Sequence, residues 1–234
     1  VRRYKKMNKF TGTLPALAIV FAVTASQAQA LETAAPLLPP ASVDAHNLII
    51  EPPALGTPKF HEELSTVLWV QETRTPEQAK FVETTLNLER FAPVVGDAIF
   101  EVDGPALKTI IDTAIDEVRT DYDAVKAVYD YPRPFEINSV VDPLGDARPV
   151  ASYPSGHAIR AVVYARLLAE VFPEKSDELL DLATRIGHGR VIAGVHYPMD
   201  VSEGQKLGNA YADAIIAGDA FQNSIDGIRA TGSS

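Results

Sequence analysis

Between His157 and Phe172 the chain has almost no polar face. Ile159, Ala161, Val162, Val163, Ala165, Leu167, Leu168 and Val171 fall on nearly every side of the helix they describe. A helix of that kind has to be covered all round, so the rest of the chain must supply the cover, and what it supplies also reads as helix. Leu107, Ile110, Ile111, Ala114, Ile115 and Val118 recur at three-and-four spacing, with Asp112, Asp116 and Glu117 on the opposite flank. Thr75-Pro76-Glu77-Gln78 offers an N-cap, a proline at the first helical position and a glutamine at the third, which predicts a helix from about Pro76 to Arg90. A further helix is expected over Asp121 to Asp130, stopping before Pro132 because a residue preceding proline avoids the helical region. Asn138 to Ser152, with Pro143, Gly145 and Pro149, reads as a loop. Ser176 is a candidate cap for a helix through Leu179, Leu182, Ala183 and Ile186 to Val191, and Pro198 opens a last one through Val201, Leu207, Ala210 and Ile215. There is no sustained strand alternation and no internal repeat. The expected fold is all-α, a single-domain helical bundle.

The domain is expected over residues 60–234, preceded by two segments of different character. In residues 1–30, Arg2, Arg3, Lys5, Lys6 and Lys9 precede an apolar run from Leu14 to Val23, followed by Ala28-Gln29-Ala30. This is the pattern of a cleavable export signal, and the run is too short to span a bilayer. It predicts a periplasmic or secreted protein without stable membrane insertion after cleavage. Residues 31–59 are rich in proline and read as an extended arm. Without the leader, which holds five of the 21 basic residues and none of the 31 acidic ones, the formal charge of -10 becomes -15 (16 minus 31). Such a surface repels nucleic acid and anionic membranes, so an anion site must be a local basic pocket set against the overall field. With no cysteine, disulfides, thiolate catalysis and cysteine metal sites are excluded.

Three short segments carry candidate chemistry: KAVYDYPRP (Lys126 to Pro134), YPSGH (Tyr153 to His157) and RVIAGVHYPMD (Arg190 to Asp200). Lys126, Arg133 and Arg190 could neutralise the charge on a phosphoryl group, the arginines holding two oxygens each with their planar forks. Ser155 and Gly156 stand where a loop enters the buried helix, a place suited to an anion. His157 follows and could protonate a leaving alkoxide. His196 and Asp200 are four residues apart across Tyr197-Pro198, so a carboxylate on one ring nitrogen would hold the other as an unprotonated nucleophile. Taken singly, each of these residues also has an ordinary structural role as an ion pair, a helix cap or a satisfied buried histidine.

Together, the order Lys126, six residues, Arg133-Pro134, then Pro154-Ser155-Gly156-His157, then Arg190, five residues, His196, three residues and Asp200 resembles the phosphatidic acid phosphatase type 2 and vanadium haloperoxidase superfamily. Within it the chain looks most like the secreted bacterial class A non-specific acid phosphatases, through its leader, its size and the stretch YPSGHAIRAVVYARLLAEVFPEK. The resemblance implies an all-α fold with His196 as nucleophile forming a phosphohistidine, Asp200 orienting it and His157 protonating the leaving group. Lys126, Arg133, Ser155, Gly156 and Arg190 would bind phosphate. It also implies small phosphomonoesters and inorganic phosphate as ligands and no cofactor, and it is compatible with a homo-oligomer.

One departure stands out. The family usually has serine just before the third-block arginine, and this chain has Gly189. The expectation is weaker phosphate binding, with Gly189→Ser raising catalytic efficiency. His46, His61 and His188 have no comparable company and read as surface or loop residues. No His-Glu-x-x-His pattern or carboxylate cluster suggests a metal. The competing readings are a vanadate-dependent haloperoxidase, a lipid phosphate phosphatase, and a phosphate-binding protein with a degenerate site.

Overall fold

The computed structural model describes residues 35–96, 104–145 and 147–232. The leader assigned to residues 1–30 lies outside them, as does the beginning of the proline-rich arm. The longer helices are α1 Pro58–Thr73, α2 Pro76–Glu83, α3 Gly104–Tyr129, α4 Gly156–Val171, α5 Ser176–Ile192, α6 Pro198–Ile216 and α7 Asp219–Gly232, with single turns such as Leu88–Phe91 and Pro134–Ile137 between them. There is no strand among the described residues, and the all-α expectation holds. No helix among them is long and apolar enough to cross a membrane.

The helix with no polar face is the centre of the bundle. Ala158, Ile159, Ala161, Val163, Ala165, Leu167 and Leu168 of α4 are fully buried. Most of its contact is with α5 and α6, and α3 covers a further side. Two glycines decide how closely α6 approaches. A Cβ on Gly204 would stand 2.8 Å from the Ser155 carbonyl oxygen, and one on Gly208 would stand 2.7 Å from that of Ile159. Four residues apart, they lie on one face of α6, and only a bare backbone fits there. The approach lets the Ser155 N–H donate to the Asp200 carbonyl at 2.9 Å, so the starts of α4 and α6 are tied together.

Several boundaries differ from the sequence reading. The helices expected over Leu107–Val118 and Asp121–Asp130 are one continuous α3, since Arg119-Thr120 contains no breaking residue, and it does stop ahead of Pro132. The expected capping box at Thr75 forms, with the Thr75 N–H donating to Gln78 Oε1 at 2.8 Å and the Gln78 N–H to Thr75 Oγ1 at 3.3 Å. Its helix, however, ends at Glu83 rather than Arg90. The Arg90 guanidinium folds back to the carbonyls of Phe81, at 2.6 Å, and Thr84, satisfying acceptors that a continuing helix would have used. Ser176 is not an N-cap: the turn Pro173–Lys175 precedes it, and Lys175 takes that position without a side-chain bond. Beyond α6 lies α7, where Phe221, Ile225 and Ile228 are buried. Their four-and-three spacing is that of a one-sided helix.

Residues 35–57 lie along the helices. Leu37, Ala45 and Ile49 are buried, the Leu38 N–H donates to Glu117 Oε2 at 2.7 Å, and the Tyr131 hydroxyl donates to the Pro53 carbonyl at 2.7 Å. His46, His61 and His188 are exposed.

Candidate active site

α5 ends in a left-handed residue, Gly194, at φ +70, a conformation that favours glycine. The Gly194 N–H closes on the Val191 carbonyl at 2.9 Å and the Val195 N–H on that of Arg190 at 3.2 Å. The chain is thereby turned back, and Val195 and His196 lead straight into α6 at Pro198. His196 and Asp200 are each 1% exposed, so their polar atoms must find partners inside the protein.

They do. Asp200 Oδ2 is 3.0 Å from His196 Nδ1 and accepts from the Tyr197 N–H at 3.0 Å and the Ser152 hydroxyl at 2.5 Å. Facing a carboxylate, Nδ1 is the protonated nitrogen, which leaves Nε2 with its lone pair. Nε2 lies 3.3 Å from Arg133 Nη1. Arg133, itself buried, is fixed by donating from Nε to the Val150 carbonyl at 2.8 Å and from Nη1 to the Val195 carbonyl at 2.7 Å. Lys126, in the last turn of α3, donates to the carbonyls of Ser152 at 3.1 Å and Pro154 at 2.7 Å, which leaves one ammonium hydrogen for another acceptor.

Ser152 is not among the residues that the sequence motifs single out. It is fully buried and also 3.2 Å from His196 Nδ1, and its N–H is anchored to the Tyr131 carbonyl at 2.6 Å. It falls in a proline-interrupted loop with no periodicity. Only its place two residues before Pro154 could have drawn attention to it.

Arg133, His157 and Arg190 line one cavity of about 320 Å³. The electrostatics follow from burial and crowded cations. His196 is held well below the usual histidine range, first by burial and then by Arg133, Lys126 and Arg190. His157 is likewise pushed well down by burial, followed by Arg190, Arg160, Arg133 and Arg90. Both rings are therefore neutral near pH 7. Burial raises Asp200 to about 6, opposed by the bonds from Ser152 and the Tyr197 N–H. Burial also lowers Lys126 to about 8, with Arg133 adding to the effect and Asp200 opposing it. Among the described residues, no group of three or more His, Asp or Glu side chains is placed to hold a metal ion.

The Pro154-Ser155-Gly156-His157 segment differs in detail from the sequence reading. The Ser155 N–H goes to Asp200, and the Ser155 hydroxyl caps α4 by accepting from the Ala158 N–H at 3.4 Å. Gly156 is closely approached by its neighbour, since a Cβ there would stand 3.0 Å from the Tyr122 ring, which would have to give by a few tenths of an ångström. The first-turn N–H groups of Gly156 and His157 remain outside the helix's own ladder. Gly189 also has a packing reason, because a Cβ would meet Val82 Cγ1 at 3.0 Å. A serine Cβ would thus be in tight contact with a valine methyl of α2.

Residues 107–219, which include all eight candidate residues, match the PAP2 superfamily. The non-specific acid phosphatase of Salmonella typhimurium is 32% identical over 151 residues, 61% of this chain and 60% of that protein. That of Providencia stuartii is 24% identical over 198 residues, 79% of each chain. The chain thus spans about 60% of the length of the Salmonella typhimurium relative. Among solved structures, a transmembrane PAP2 type phosphatidylglycerolphosphate phosphatase from Bacillus subtilis shares the fold at a TM-score of 0.52 and 20% identity, over 74% of this chain and 90% of that one. In homology and in fold, the chain matches the PAP2 superfamily that includes the non-specific acid phosphatases.

Proposed function

We propose that the protein is an exported acid phosphatase that hydrolyses small phosphate monoesters through a phosphohistidine at His196, with no metal in the reaction. One observation carries the reading: a buried imidazole whose Nδ1 is tied to Asp200 at 3.0 Å while its Nε2 lies 3.3 Å from a fixed arginine. An unprotonated nitrogen whose lone pair is engaged only by the guanidinium that would hold the phosphate becomes a nucleophile once the substrate oxygens take over that donor.

In the first half-reaction Nε2 forms a bond to phosphorus as the bond to the ester oxygen breaks. The leaving oxygen takes a proton from His157, and Asp200 stabilises the imidazolium-like phosphohistidine. In the second half, water attacks phosphorus and gives a proton to His157, and the N–P bond breaks. Lys126, Arg133 and Arg190 hold the equatorial oxygens, where preorganised charge is most effective.

His157 is neutral in the ligand-free site. The proton it delivers therefore arrives with the substrate, whose second phosphate ionisation lies near about 6, and is held once the phosphate charge offsets the surrounding arginines. Below about 6 Asp200 is protonated and no longer orients His196. These opposing requirements give a bell-shaped profile for kcat/KM on the acid side of neutrality, and a profile centred above pH 7 would overturn the assignment. The direct test is turnover of p-nitrophenyl phosphate with excess chelator. Activity should persist in the wild-type protein and vanish in His196→Ala, with a label on phosphohistidine after alkaline quench in the former only. Activity lost to the chelator, or retained by His196→Ala, rejects the mechanism.

A further inference from the structure

The cavity beside His196 holds more positive charge than one phosphate needs. Besides Arg133 and Arg190, its wall includes Arg119, Arg148 and Arg160, and Glu83 is the only carboxylate among its described lining residues. Exposure orders the arginines. Arg133 is buried, Arg160 and Arg190 are partly buried, and Arg119 and Arg148 are exposed, so the charge runs from the reacting centre out to the mouth. Arg160 is steadied by donating from Nε to the Gly156 carbonyl at 3.2 Å. Arg119 sits 3.7 Å from Asp123, both about half exposed, a pairing too solvated to neutralise it. Such a concentration of guanidinium groups, in a chain of net charge -10, is set against the field of the whole molecule.

Taking the phosphatase reading as its premise, we propose that Arg119, Arg148 and Arg160 form a second anion subsite. The preferred substrates would then be small molecules carrying a second phosphoryl group on the leaving-group side. Lys126, Arg133 and Arg190 neutralise the transferred group, and the outer three guanidiniums face whatever the ester oxygen is attached to. A planar fork suits two phosphate oxygens. A volume of about 320 Å³ lies at the lower end for small-molecule pockets and is enough for a compact bisphosphate.

The test compares propane-1,3-diol monophosphate with propane-1,3-diol bisphosphate at fixed ionic strength, in the wild-type protein and in the double variant Arg119→Gln, Arg148→Gln. Both substituted residues are exposed, so the fold is retained. The wild type should favour the bisphosphate in kcat/KM by at least about tenfold, as charge-assisted bonds of this kind provide. The double variant should bring the ratio down to roughly the statistical factor of two, through KM rather than kcat. A wild-type ratio of about two, or one that the double variant leaves unchanged, overturns the subsite. If neither ester is turned over, the phosphatase reading fails by itself. The same ratio, measured as Kd by calorimetry on His196→Ala protein, then decides the subsite by the same thresholds.

Discussion

His196 and Asp200 are each 1% exposed, and the ring Nδ1 and carboxylate oxygen that join them each have partners inside the protein. On the wall of the neighbouring cavity, Arg119 and Arg148 stand in solvent. The two regions are built on different physics. The histidine and carboxylate are positioned by packing and hydrogen bonds in a medium where a missing partner is expensive, so their geometry is set before any ligand arrives. Arg119 and Arg148 are solvent-exposed charges whose effect is long-ranged and weakened by salt. Substitutions in the first region should alter the chemical step, and substitutions in the second should alter which substrate is held.

The sharpest way to break this comparison is Asp200→Asn. An amide keeps the shape, and its oxygen can still accept from the Tyr197 N–H and His196 Nδ1–H, but it carries no negative charge to stabilise the imidazolium that forms as Nε2 attacks. The expected loss in kcat is on the order of 10⁴, the scale for an orienting carboxylate in a comparable arrangement. Stability should move the other way. Burial raises the folded-state titration of Asp200 to about 6, from the ordinary 3.8. Its contribution to stability is therefore full below about pH 4 and is lost as pH rises through 6. Asp200→Asn should melt no lower than wild type at pH 7.5 while being nearly inactive. A variant that unfolds early at pH 7.5 would show that the pair serves the fold and not the reaction.

Ser152→Ala comes next. Its hydroxyl bond is among the effects holding Asp200 down against burial, so removing it raises the carboxyl further. The acid limb of kcat/KM should shift to higher pH, and the loss at pH 6 should be about tenfold or more, the worth of a hydrogen bond to a charged group. At pH 7.5 the loss should be smaller. Equal losses at both pH values would mean that Ser152 is only packing.

These two residues also mark what sequence could and could not convey. Asp200 was legible because a four-residue offset at a helix start has few geometric outcomes, and the all-round apolar run of α4 required a helical shell before any coordinates were available. Ser152 was not legible, since its role exists only through the folding of a proline-rich loop onto the start of α6. The continuity of α3 is not visible in the apolar spacing of its two halves taken separately. The early end of α2 depended on Arg90 reaching back to carbonyls six and nine residues away, a choice that local propensity does not encode. Lys126, Arg133 and Arg190 were legible as cations. Arg119, Arg148 and Arg160 were not, because nothing in their spacing shows that they share one cavity.

Gly204→Ala probes the packing that holds the first region together. The added methyl would stand 2.8 Å from the Ser155 carbonyl oxygen, which is backbone and cannot rotate aside. Overpacking of this kind costs about 1–3 kcal/mol, and a urea denaturation midpoint would register it. Because the Ser155 N–H to Asp200 carbonyl bond crosses the same contact, efficiency should fall together with stability. A fully stable variant with normal turnover would mean that the close approach of α6 to α4 does not position the site.

The smallest effect is expected at Gly189. Sequence reasoning takes the glycine as a missing phosphate contact that Gly189→Ser would restore. The structure places Val82 Cγ1 3.0 Å from where that Cβ would be, so the serine alone requires the buried valine to give by a few tenths of an ångström. Gly189→Ser should therefore leave efficiency unchanged or slightly reduced. Gly189→Ser combined with Val82→Ala should exceed Val82→Ala alone, by up to the order of 10² that one well-aimed donor can supply. Steady-state kinetics on the wild type, both single variants and the double variant give the coupling directly. If Gly189→Ser alone raises kcat/KM, the valine yields freely and the packing explanation for the glycine is wrong. If the double variant gains nothing over Val82→Ala, position 189 does not reach the phosphate, and the site works without a donor there.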